Sequence, residues 1–306
     1  MQSRRTPATH DEFARAIEPW ARAIRDIANV GYQSTYASSG PRRQPHIDSI
    51  AMRELAAQKA YAGSWDSHPV DTAYTHIGLL LTAGEDAMLS LADLVTGDRT
   101  PTYSYLPVAR AGIEWLALAH WLSEPHIGIK ERVRRSLNER IASAYEQSRL
   151  PNGANPEPER QARLRQATQR GYTLTPSKKG RFRVFAPERP TTTAHIQRVL
   201  GGNDLGKLVY SYLSAISHGT LWGLVQRAEP LDPTATGPVV TAGLAVSSDD
   251  IAMLAVALTI AHMTAFGAYV NLLGWDMPEW KDAVLRSSPL IMSYANRHAE
   301  SDTSSR

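Results

Sequence analysis

Apolar residues recur every three to four positions through most of this chain, and that period predicts helix after helix. Phe13, Ile17, Trp20, Ile24 and Ile27 mark one face of a helix over residues 11–30, and a short helix follows over 50–62. Pro69 opens a long helix over 70–95, with Leu79, Leu80, Leu81, Met88, Leu91 and Leu94, and Gly97 and Pro101 punctuate its end. Residues 105–122 are apolar nearly all round, the pattern of a helix at the centre of a bundle. Residues 129–149 instead carry Val133, Leu137, Ile141 and Tyr145 at spacings of four. One narrow apolar stripe with a charged back predicts an outer helix there.

Past a proline-rich linker over 151–159 and a polar helix over 160–170, the period changes. Phe182, Val184 and Ala186 alternate with Arg181, Arg183 and Phe185 behind a Lys178-Lys179-Gly180 turn, which predicts a small hairpin within 173–186. A second hairpin is expected within 234–246, around Gly237 and Gly243. Thr191-Thr192-Thr193 offers a cap for a helix over 194–200, and Ser247-Ser248-Asp249-Asp250 one for a long helix over 251–273. A last helix is expected over 279–295. The reading is an all-α protein, one helical bundle built from 11–149 and 191–297. A basic, hairpin-bearing insertion occupies 150–190, and disordered ends are expected at 1–10 and 298–306.

Residues 251–275 hold no Asp, Glu, Lys or Arg and are long enough to span a bilayer. His262 at the middle, with Thr259, Thr264 and Asn271, favours a buried bundle helix over a membrane segment. The chain has no cysteine, which excludes disulfides, thiolate zinc sites, iron–sulfur clusters and cysteine nucleophiles. That fits a reducing cytoplasm, and the charged N-terminus has no apolar run of a secretory signal.

Charge is unevenly spread. Residues 130–189 carry 15 Lys and Arg against 6 acids, a surplus of nine in a chain of net charge +3, so the remainder sums to −6. A basic middle attracts phosphate or is simply a solvated arginine-rich face, and the latter is the commoner case. Arg160, Arg163 and Arg165 are its candidates for nucleic-acid contact.

Candidate chemistry gathers in 210–224. On a helix advancing about 100° per residue, Lys207, Ser211, Ser214 and His218 fall on one face and Leu205, Leu208, Val209, Tyr212, Leu213 and Ile216 on the other. His218 at the C-terminal end is either a base or phosphate donor, with Lys207 and Ser214 beside it, or a capping group for the last carbonyls. Arg110 and Glu114, one turn apart on the apolar central helix, form either a structural ion pair or a pocket floor. Tyr212, Ser211 and Trp222 complete that pocket reading. Glu85 and Asp86 interrupt another apolar helix and need partners, for which Arg110, Arg134 and His262 are candidates. There is no Glu-x-x-His pair, zincin helix, phosphate-binding Gly-Lys loop or Gly-x-Ser-x-Gly elbow. No metal and no cofactor is called for.

The segments Ala109-Arg110-Ala111-Gly112-Ile113-Glu114-Trp115, Trp121-Leu122, Glu131-Arg132-Val133-Arg134-Arg135, Glu188-Arg189-Pro190-Thr191-Thr192 and Tyr212-Leu213-Ser214-Ala215 to Ser217-His218-Gly219-Thr220 resemble a group of uncharacterised actinobacterial helical proteins. Through them the chain, over about 70–273, resembles the HEPN superfamily of four-to-five-helix bundles, which includes abortive-infection proteins. Catalytic members are metal-independent ribonucleases, usually dimers, with four to six residues between an arginine and a histidine on a late helix. His218 matches that histidine. Ser211, Tyr212 and Leu213 occupy the arginine positions, and Lys207 lies one turn too early. The resemblance thus implies a HEPN-like binding or regulatory protein, a homodimer with RNA or nucleotide as ligand and no membrane. A divergent ribonuclease, or a small-molecule enzyme with its site in a bundle cavity, are the alternatives.

Overall fold

The computed structural model describes residues 10–35, 44–63, 66–98, 101–149, 157–177, 183–201, 204–217, 228–230, 242–244 and 247–303. The helices among them are α1 (His10–Thr35), α2 (Ile50–Ala57) with a 3-10 turn (Gln58–Ala60), α3 (Pro69–Thr96), α4 (Tyr105–Ser123), α5 (Gly128–Gln147), α6 (Glu157–Gln169), α7 (Thr192–Val199), α8 (Asp204–Ser217), α9 (Ser248–Leu273) and α10 (Pro278–Thr303). The described residues thus form an all-α bundle with very little strand. The antiparallel pair β1 (Leu174–Pro176) and β2 (Arg183–Phe185) is the hairpin expected within 173–186. A second antiparallel pair joins β3 (Ala228–Pro230) to β4 (Ala242–Leu244). Its first strand begins ahead of the expected 234.

Helix starts follow the capping chemistry. Ser49, Thr191 and Ser247 each accept a hydrogen bond from a backbone N–H of the following turn, at Met52, Ala194 and Asp249. Asp249 and Asp250 then sit in the first turn of α9, where the helix dipole favours negative charge.

One core binds α1, α3, α4 and α9, through Ile17, Ile24 and Ile27, Ile77, Leu81 and Leu91, Leu106, Ile113 and Leu116, and Leu254, Leu258 and Phe266. Close approach depends on small residues. A Cβ at Gly84 of α3 would stand 2.5 Å from Leu116, and one at Gly112 of α4 would stand 2.9 Å from Leu258. The helix α9 is the described segment long and apolar enough to cross a membrane, and most of it is buried among its neighbours. It belongs to the bundle core.

The largest departure from expectation is α5. The charged back of an outer helix is absent, because residues 132–139 are buried on every side. Arg132, fully buried, forks onto Glu54 of α2 at 2.8 and 3.3 Å and donates to the carbonyls of Leu122 and Glu124. Tyr74 donates to the same Glu54 carboxylate at 2.8 Å. Arg134 donates to Phe185 O at 3.0 Å and to Pro187 O, and it pairs with Glu131. Asn138 bonds the backbone of Phe185 twice, giving from its amide N and accepting at its amide O, both at 2.8 Å. The hairpin insertion therefore lies on the side of α5 expected to face solvent. Burying an arginine is tolerable only when its donors are met, and here carboxylates and carbonyls meet them.

For α5 the solvated-face reading of the basic middle fails on the same contacts, while Lys130, Arg149, Arg165 and Arg170 are exposed as that reading has it. Arg132, Arg140 and Arg135 find Glu54, Asp66 and Glu124, acids that lie outside 130–189. The −6 of the remaining chain is partly spent neutralising the +9 of the middle.

Candidate functional site

The helix α8 shows the expected division. Val209 and Leu213 are buried in the core, Ser211 is exposed, and Ser214, Tyr210 and Tyr212 are half-buried. Lys207 lies on the same helix. His218 and Trp222, the centre of the sequence reading, lie outside the described residues.

Arg110 and Glu114 of α4 come to this helix. The Arg110 Nε donates to Glu114 at 2.7 Å, with side chains 16% and 32% exposed. The Arg110 guanidinium also stands 5.6 Å from the ring centroid of Tyr210, the neighbour of Ser211. Arg before Glu is the weaker helical order. The pair is instead anchored by cation–π contact from α8. At this contact a guanidinium, a carboxylate and an aromatic face meet, and Ser211, next to Tyr210 along the chain, is exposed. Such a set can hold a phosphate and an aromatic base together.

The predicted nucleic-acid arginines separate. Leu164 and Ala167 turn one side of α6 into the protein, and Arg163, four residues before Ala167, shares that side. Arg160 and Arg165 instead line a shallow, open depression of about 440 Å³, with Gln161, Leu164, Thr168, Gln169 and Leu174. Arg160 is held by Glu157 at 2.5 Å, which leaves Arg165 as the exposed cation of that face.

Glu85 meets His262, one of its three candidate partners, while Arg110 turns to Glu114 and Arg134 to the hairpin. Asp86 is exposed. Burial pushes the Glu85 carboxyl above its ordinary range, against the pull of His262 and Thr35.

A further cluster escaped the sequence reading. At the end of α4, Glu124 takes Arg135 on one carboxylate oxygen at 2.7 Å and Arg198 of α7 on the other at 2.6 Å. The Trp121 ring lies 4.8 Å from the Arg135 guanidinium and 4.9 Å from the His195 ring. Arg189 pairs with Glu139, whose carboxyl is pushed up by burial. Burial, joined by Arg189, Arg198 and Arg135, lowers His195 to about 4, with Glu124 opposing. Burial lowers His120 too; Glu124 opposes, and Arg198 and Arg135 add to the lowering. The Trp121-Leu122, Glu131–Arg135 and Glu188–Thr192 segments all converge here. That convergence was the available signal, but His120, Glu124, His195 and Arg198 have no spacing that links them.

No family model matches this chain, and no curated protein or solved structure does either. Among the described residues, no group of three or more His, Asp or Glu is placed to hold a metal ion.

Proposed function

We propose that this protein is a HEPN-like binding or regulatory protein directed to RNA or nucleotide, with the α4–α8 seam as its ligand site. The observation that carries the reading is the placement of Arg110 over Tyr210, beside exposed Ser211 and half-buried Ser214. A guanidinium serves a phosphate, an aromatic ring serves a base, and hydroxyls serve a ribose. The HEPN-like part of the proposal, and with it a homodimer in the cytoplasm acting in stress or phage conflict, comes from the sequence resemblance. In sequence, Lys207 and His218, the latter outside the described residues, share the spacing of Ser211 and Ser214.

Fluorescence anisotropy with a labelled single-stranded RNA and with ATP, over a range of salt, tests the proposal. Saturable, salt-sensitive binding that falls at least tenfold in Arg110→Ala and in Tyr210→Ala is expected. Absent binding, or binding unchanged in both variants, overturns it. Chelator-resistant cleavage of the RNA that is lost in His218→Ala would move the protein to the ribonuclease alternative.

A further inference from the structure

The junction between the end of α4 and α7 has features that a purely structural cluster does not need. Arg198 and Arg189 stand at its surface, with side chains 49% and 42% exposed. Beneath them His195 is only 5% exposed, and its Nε2 has no hydrogen-bond partner among the described residues. His120, one residue before Trp121, has a buried Nδ1 in the same condition. An unpaired buried polar atom is costly, and with Glu139 Oε1 in the same condition the cluster holds three that call for an explanation.

The surrounding charge decides what could satisfy them. Three guanidiniums, Arg135, Arg189 and Arg198, act on His195 against the one carboxylate of Glu124. Around these stand Glu131, bound to Arg134 and Arg135, and Glu139, bound to Arg189. Both Glu124 oxygens are already taken by arginines. Counting Arg134, four guanidiniums stand against three carboxylates, and the one carboxylate oxygen without a partner among the described residues, Glu139 Oε1, belongs to a group already bound by Arg189, so a metal cation would meet net positive charge. An oxyanion would meet guanidiniums ready to donate and imidazoles able to donate from N–H.

We propose that this junction is a binding site for a small oxyanion of phosphate type, with Arg198 and Arg189 as the outer donors and His195 and His120 as the inner ones. Inorganic phosphate and a terminal phosphomonoester share that chemistry. The bound anion replaces Glu124 on Arg198 and offsets the positive field at the imidazoles. Binding is therefore coupled to proton uptake by His195. The site is separate from the α4–α8 seam and does not depend on it.

The experiment is NMR of the histidine rings in the full chain, titrated with inorganic phosphate and, in parallel, with AMP. Saturable shifts of His195 and His120, and an upward move of the His195 titration, are expected with wild type. Both are expected to vanish in Arg198→Ala and to persist in Arg110→Ala. Response to both titrants identifies the shared phosphate chemistry, and response to AMP alone identifies the esterified source. Arg189→Ala is the second surface variant, and it should weaken binding at least threefold. No saturable shift in folded wild type, or shifts retained in both Arg198→Ala and Arg189→Ala, overturns the proposal. Loss of RNA binding in Arg110→Ala with phosphate shifts intact would separate this site from the seam.

Discussion

His262 and Glu85 share a hydrogen bond of 3.0 Å between side chains that are both wholly buried, across 177 residues of sequence. Thr35 donates to the other Glu85 oxygen at 2.8 Å, and Phe266 stacks on the imidazole with ring centroids 5.2 Å apart. The contact ties α1, α3 and α9 at one point. Removing one partner leaves the other buried without its mate. Glu85→Ala and His262→Ala are each expected to lose about 3–5 kcal/mol of stability in urea unfolding. The double variant Glu85→Met/His262→Phe should lose clearly less than the sum of Glu85→Met and His262→Phe measured singly. Additive losses would show that the two residues do not act as a pair.

Gly31 of α1 gives that pair its room. A Cβ there would lie 2.3 Å from Glu85 Oε1 and 2.8 Å from His262 Nε2. Gly31→Ala is expected to destabilise by about 1–3 kcal/mol, despite the higher helix propensity of alanine. A thermal melt at or above the wild-type midpoint would contradict this.

Arg132 depends on the planar fork of its guanidinium, which spans Glu54 and two carbonyls. Arg132→Lys offers three donors from one nitrogen and cannot reproduce that span. Both Arg132→Ala and Arg132→Lys should cost about 3–5 kcal/mol in denaturant unfolding. Full retention of stability by the lysine variant would show that charge alone suffices.

Stability should depend on pH through His195. Its folded titration point is lowered to about 4 from 6.5, chiefly by burial, then by Arg189, Arg198 and Arg135. A depressed folded value means that the unfolded chain takes the proton first. The contribution is therefore complete above pH 6.5 and declines as pH falls toward 4, by up to roughly 3 kcal/mol. Glu85 and Glu139, both raised by burial, act with the opposite sign. The decisive quantity is thus the difference between wild type and His195→Gln. The variant should show a flatter loss of stability between pH 6.5 and 4 than wild type. Parallel curves would exclude His195 as the source.

How much of the site could be read in advance follows from where its residues lie. The face of α8 was legible, because Ser211 and Ser214 on one side and Val209 and Leu213 on the other are a property of helical pitch alone. That Arg110 would reach Tyr210 was not, since the approach of α4 to α8 depends on packing between distant segments. The cluster of His120, Glu124, His195 and Arg198 was invisible for the same reason. It joins the end of one helix to another some seventy residues on.

By itself the sequence determined the helices, the caps at Thr191 and Ser247, the hairpin within 173–186 and the burial of the helix over 251–273. These follow from local period and from backbone groups that must be satisfied nearby. Only the tertiary structure decided the partners of the charges. The spacing on α5 foretold an exposed charged back, yet Arg132, Arg134 and Arg135 are buried against Glu54, the hairpin backbone and Glu124. Side-chain period records which residues share a face. It does not record what covers that face, because a long-range ion pair depends on two segments arriving together and leaves no mark on the spacing of either.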